Sequence, residues 1–181
     1  IMNEANYWLM ILSREYNITK TIMTLDEIKA YNQNIVEGNS KTNVVDVLSL
    51  PQTVSANYVK TMIEKYALME KYIVYNNETK AELSSAEKTA ILNNRNLSSL
   101  SGDINVEYGI ITDFAWCRSY PTNDYASSYD KDRFQETSLN VGEEVAIYHT
   151  SLDGKWSFVQ AYNYNGWVEN KYIGKASYDE V

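Results

Sequence analysis

Apolar positions in the first hundred residues recur at helical spacing, and from about Ile104 onward they alternate with polar ones. Thr24-Leu25-Asp26-Glu27 has the form of a capping box, in which the Thr hydroxyl accepts from the N3 amide while Glu27 reaches back. Ile28, Tyr31 and Ile35 follow on one helical face, and Gly38 is placed to end the helix. Pro51 breaks the pattern. Ser55 can cap a second helix whose stripe is Val59, Met62, Ile63, Tyr66 and Met69. Ser84-Ser85-Ala86-Glu87 is another capping box, opening a helix through Ile91 and Leu92. The segment Glu4 to Tyr16 predicts an earlier helix with Tyr7, Trp8, Ile11 and Leu12 inward. Each helix is short, so its stripe needs a partner surface.

Beyond Gly102, Gly, Asn and Asp recur at turn-like intervals. Val145 to Tyr148 reads as a strand, Asp153-Gly154 as a tight hairpin turn, Trp156 to Tyr162 as the return strand, and Asn163 to Gly166 as a second turn. Short strands separated by turns predict a small barrel. The stretch Asp124 to Arg133 is too long for a hairpin loop and is read as an excursion between strands. The expected class is α+β: a helical N-terminal domain, residues 1–102, then a small SH3-like β-barrel, residues 103–181.

The 181 residues carry a net charge of −8. That argues against nucleic acid, which needs a basic surface, and against anionic lipid. No apolar run approaches the ~20 residues of a membrane helix. One cysteine, Cys117, rules out an internal disulfide or a cysteine-rich zinc site. The first residue is Ile, and no basic-apolar signal segment is present. The chain reads as a piece of something longer.

Cys117 and His149 are the sole Cys and His. A dyad would need the imidazole to generate the thiolate, but Cys117 alternates with Ala115 on what reads as the core face of a strand, where a Cys acts as a small hydrophobe. His149 stands beside a turn and is expected to hydrogen-bond loop backbone. Asp124, Asp130 and Asp132 share one loop, without the spacing or glycine of an EF-hand. Nothing sets any carboxylate pair apart for glycoside hydrolysis. No catalytic residue, metal site or cofactor is therefore expected.

Sixteen tyrosines make the aromatic set the most suggestive feature. Their apolar bodies and polar tips suit half-buried strands or a stacking platform. Tyr120, Tyr125, Tyr129, Trp156, Tyr162, Tyr164 and Trp167 are the candidate ligand-binding residues. Trp156 and Phe158 share one strand face. If Val159 and Ala161 pack inward, Trp156 is left near a surface groove. Packing between barrel and helical domain is the alternative for Trp167.

Four segments carry a resemblance. Ala115-Trp116-Cys117-Arg118-Ser119-Tyr120-Pro121-Thr122, Arg133 to Val145, Tyr148 to Trp156, and the Gly166-Trp167-Val168-Glu169-Asn170-Lys171-Tyr172-Ile173 run resemble, in order, the bacterial SH3 domain of NlpC/P60 cell-wall peptidases. Ile28 to Ile35 and Asn93 to Asn96 resemble the stabilising region that precedes this SH3 type in a subset of those enzymes. The resemblance implies a parent that cleaves peptidoglycan stem peptides beside a D-glutamyl residue, with its Cys, His and third polar residue in a domain after Val181. Nothing in this chain matches that domain.

The resulting reading is a non-catalytic fragment, secreted or in the cell envelope of a bacterium. Its expected partners are the catalytic domain of the parent and peptidoglycan stem peptides, with no nucleic acid and no membrane insertion. The alternatives are a structural clamp that binds no ligand, or a stand-alone hydrolase.

Overall fold

The computed structural model describes residues 5–15, 21–38, 44–66, 69–128 and 131–181. The chain divides into two compact units, Ile1–Ser40 and Lys41–Val181.

The first unit holds helices α1 (Ala5–Glu15) and α2 (Leu25–Gly38). The expected box opens α2. The Glu27 amide donates to Thr24 Oγ1 at 3.3 Å, and the Thr24 amide donates to the Glu27 carboxylate at 2.7 Å. These bonds, the backbone one first, hold the Glu27 carboxyl below its usual range. Ile28 and Tyr31, expected as a packing stripe, remain exposed, as do Trp8 and Leu12 of α1.

The second unit runs through β1 (Thr53–Ser55), α3 (Ala56–Glu64), β2 (Val74–Tyr75), α4 (Ser85–Asn94), β3 (Asp103–Asn105), β4 (Glu107–Ile111), β5 (Ala115–Arg118) and β6 (Tyr125–Ser128). It continues through β7 (Lys131–Asp132), β8 (Gln135–Leu139), β9 (Glu144–Thr150), β10 (Trp156–Gln160), β11 (Asn165–Glu169) and β12 (Ile173–Ala176). Seven strands form one antiparallel sheet in the order β12-β4-β9-β10-β11-β5-β8. Strands β1 and β3 pair separately, and β2-β6-β7 form a third, small sheet.

Alternation along these strands gives the large sheet two apolar faces. One face carries Ile111, Ala115, Cys117, Leu139, Val145, Ile147, Val159 and Val168, with Ile173 packed against them. Each of the seven strands contributes, so the sheet curls around this cluster. It does so without closing into a ring: β12 and β8 are the ends of the strand order. The other face presents Tyr108, Tyr148, Trp156, Phe158 and Trp167 to Val59, Met62 and Ile63 of α3. Ser55 caps that helix by accepting from the Tyr58 amide at 3.2 Å. Each large apolar side chain buried here contributes about 1.5–3 kcal/mol. Helix α3 stops at Glu64, so Met69 leaves its stripe and joins Val74, Leu83, Ile91, Tyr120, Ala126 and Phe134 in a third cluster beside α4. The Ser84–Glu87 box caps α4 as expected. Consecutive strands β9 and β10 turn through Asp153-Gly154, where Gly154 takes φ +70° and Asp153 Oδ1 accepts from the Ser151 hydroxyl at 2.6 Å and the Lys155 amide at 3.0 Å.

Candidate functional site

The aromatic set does not form one surface. Trp156 and Trp167 are 4% and 0% exposed in the cluster beneath α3. Trp156 lies opposite Val159 as read and lines a cleft of about 480 Å³ with Ile91, Asn94, Pro121 and Lys155, but α3 covers that face and leaves the ring almost wholly buried. Trp167 follows its packing alternative, with Phe158 edge-on at 5.4 Å. Tyr120 is buried against Phe134, 4.8 Å between ring centroids. Tyr162 is half exposed, and its carbonyl accepts from the Val45 amide. Tyr164 donates its hydroxyl to Glu136 at 2.8 Å, and that bond, more than burial, pushes its pKa up to about 12. Tyr129 and Asp130 lie outside the described residues.

Three members of the set line clefts, Trp156, Tyr162 and Tyr125, each a different one. Of these, the Tyr125 cleft is the one that also holds an exposed tryptophan. Tyr125 stacks on Tyr75 at 5.6 Å and 25°, with Lys80 Nζ 5.3 Å from its ring centre. The cleft, about 590 Å³, is lined by Tyr125, Trp116, Arg118, Lys131, Asp132 and neighbouring amides. Strand β5 explains its chemistry. Ala115 and Cys117 turn into the sheet, which sends Trp116 outward, 50% exposed, with Phe114 edge-on at 4.9 Å. The register shifts between Cys117 and Arg118. Arg118 is nevertheless buried, and its Nη2 donates to the Asp124 carbonyl at 2.7 Å and to Asp132 Oδ2 at 2.8 Å. Its Nε has no partner. Asp132 Oδ1 in turn accepts from the Ala126 and Phe134 amides at 3.2 and 2.9 Å, and the Asp124 carboxylate accepts from the Thr122 hydroxyl and the Asn77 amide. These two acidic side chains brace the loop. Among the described residues no group of three His, Cys, Asp or Glu side chains could hold a metal ion.

Trp116 and Arg118 were not among the sequence candidates. The signal was present: Phe114 and Trp116 alternate with the core pair Ala115 and Cys117, so two large rings had to share the outer face.

Cys117 and His149 do not form a dyad. Cys117 is fully buried in the inner cluster, and burial pushes its thiol up to about 12. His149 rests on Trp167, 6.1 Å between ring centres, in the region of the other cluster. Its Nε2 lies 3.1 Å from the Arg95 carbonyl oxygen and 3.2 Å from that of Asn96. Carbonyls only accept, so Nε2 carries the proton. Burial lowers the His149 pKa against the opposing pull of these bonds. The cleft brings together a stacked tyrosine pair, a buried guanidinium and an exposed lysine.

Residues 121–169 match the family described as SH3 domain (SH3b1 type), so an SH3b domain occupies this part of the chain. Among solved structures, the chain is similar to one described as a novel NlpC/P60 endopeptidase from Photobacterium damselae subsp. piscicida, with a TM-score of 0.54 and 18% identity. The likeness covers 87% of this chain and 38% of that one, and at that identity it establishes a shared fold. No curated protein matches the sequence. No helix among the described residues is long and apolar enough to cross a membrane.

Proposed function

We propose that this chain is a non-catalytic, cell-wall-associated accessory module that positions or stabilises an NlpC/P60-type peptidase on peptidoglycan stem peptides. The observation that carries the reading is the SH3b1-type match at residues 121–169. The similarity to a chain titled as an NlpC/P60 endopeptidase supports the setting, and that similarity spans 38% of the other chain. In this reading the protein works outside the cytoplasm, in the envelope or secreted, and its protein partner is a catalytic domain. Of the seven aromatic candidates, Tyr125 is the one in the cleft proposed as the ligand site, whose lining also holds Trp116 as a second ring and Arg118 and Lys131 as polar contacts.

The test is co-sedimentation of the chain with purified peptidoglycan. Binding that falls in Trp116→Ala and Tyr125→Ala, with melting unchanged, supports the reading. The structural-clamp alternative draws support from the burial of Tyr120, Trp156 and Trp167. It gains if the folded protein ignores the wall.

A further inference from the structure

A second cleft lies apart from the one lined by Tyr125 and Trp116, where β3, β4, β12 and the turn after β12 meet. It measures about 570 Å³, and Gln52, Asn105, Glu107, Tyr108, Ser177 and Tyr178 line it. Three of its features bear on what it could hold.

The first is Tyr108, which is 5% exposed and whose hydroxyl has no hydrogen-bond partner. A buried hydroxyl left unpaired destabilises the fold. Phenylalanine would fill the same space without that penalty. The second is charge. Glu107 is paired with Lys175 at 2.5 Å, and the Glu180 carboxylate accepts from the Ser177 amide at 2.9 Å and the Ser177 hydroxyl at 2.7 Å. The lining thus holds two carboxylates, one beside Lys175 and one held by Ser177, against one ammonium, and the rest of its polar surface is neutral amide and hydroxyl. The third is a fixed aromatic wall. The Tyr178 ring is 41% exposed and meets Tyr108 edge-on at 5.3 Å. Its hydroxyl is tied to the Leu48 carbonyl at 2.9 Å, which holds the ring in place.

Amides that donate and accept, a hydroxyl short of a partner and a half-exposed aromatic ring suit a neutral ligand bearing many hydroxyls. An anion would meet two carboxylates against one ammonium, whereas carboxylates readily accept from sugar hydroxyls. We propose that this cleft is a saccharide site, and that its ligand is an amino-sugar strand of the wall glycan. The saccharide class rests on the cleft alone; the amino sugar rests on the wall reading above.

The experiment is an NMR titration of the whole chain with triacetylchitotriose into the millimolar range. Amide shifts centred on Asn105, Glu107, Ser177 and Tyr178 are expected. Tyr108→Phe should weaken binding about fivefold, the size of effect expected from one lost hydrogen bond, and should melt no lower than wild type. Asn105→Ala, an exposed change in the same wall, should weaken binding with the fold intact and serves if the Tyr108 variant does not fold. No shifts, shifts elsewhere, or undiminished binding by both variants would overturn the site. A flat titration alongside sacculus binding that depends on Trp116 would remove this inference and leave the wall reading standing. Chitotriose bound at Tyr108 without sacculus binding would do the reverse.

Discussion

Gly166 on β11 lies so close to Cys117 on β5 that a Cβ at 166 would stand 2.6 Å from Cys117 Sγ and 2.8 Å from the Arg118 carbonyl oxygen. No relaxed structure holds such contacts, and the second is to backbone. The neighbouring strands meet at Trp167 and Arg118, so any displacement here reaches the base of the Arg118 cleft. Gly166→Ala should therefore destabilise the protein by about 2–3 kcal/mol, as overpacking does in a dense core. Urea midpoints compared at constant slope measure it, and an unchanged midpoint would show that β5 and β11 can separate freely.

Cys117 should resist thiol reagents until the protein unfolds. With its pKa pushed up to about 12 by burial, the thiolate is scarce at neutral pH, and the thiolate is the nucleophile. Labelling followed with and without urea decides it. Native-state labelling as fast as that of a free thiol would contradict the placement. The same placement predicts no cleavage of muropeptides by the chain, read by mass spectrometry of the products.

Trp116 and Trp156 should separate binding from folding. Trp116→Ala removes an exposed ring, so melting should be unchanged while any wall binding falls. Trp156→Ala empties a core position and should cost about 3–5 kcal/mol, a large part of the usual stability of a domain. Thermal melts of both variants beside sedimentation with peptidoglycan give the comparison. Equal melting losses would place Trp116 in the core and defeat the proposed cleft.

The contrast between these two tryptophans also marks what the sequence could convey. Local signals were legible: the Thr24–Glu27 and Ser84–Glu87 boxes, the Ser55 cap and the Asp153-Gly154 turn each need only a few adjacent residues. Alternation correctly put Cys117 inside and Trp156 on the face opposite Val159. It could not say that α3 covers this second face, because period two distinguishes the faces of a strand without revealing what packs on each. The Arg118–Asp132 pair was hidden for a related reason. It depends on a loop folding back across fourteen positions onto the end of β5, and no local pattern specifies that return. The expected barrel came out as an open, curled sheet, since turn spacing predicts the strands but not whether the first and last of them pair.

His149 should make stability depend on pH. Burial lowers its pKa from the ordinary 6.5, so the unfolded chain binds its proton more readily than the folded one. This contribution is fully present above the unfolded value and declines as pH falls from about 6.5 toward the lower folded pKa. The carboxylates titrate as well, so the comparison is with His149→Gln, which can still donate to the Arg95 and Asn96 carbonyls and has no proton to gain. Between pH 8 and 5 the urea midpoint of wild type should drop more than that of the variant. Parallel curves would show that His149 protonates without cost.

Two truncations distinguish the division expected at 102/103 from the compact units seen at 40/41. The three buried clusters draw all their members from residue 47 onward. Residues 41–181 should accordingly fold alone and melt close to the full chain. Residues 103–181 lack Val59, Met62 and Ile63, which leaves Tyr148, Phe158 and Trp167 on a sheet face without its helix. An exposed apolar face of that kind invites association, and each large side chain returned to water forfeits about 1.5–3 kcal/mol. That fragment should be unstable or aggregated. Circular dichroism melts and size-exclusion profiles of the two pieces decide. If residues 103–181 are monomeric and as heat-resistant as the whole, the barrel half is self-sufficient and α3 is an accessory to it. If residues 41–181 fail while the full chain folds, the first forty residues supply stability that none of the three clusters accounts for.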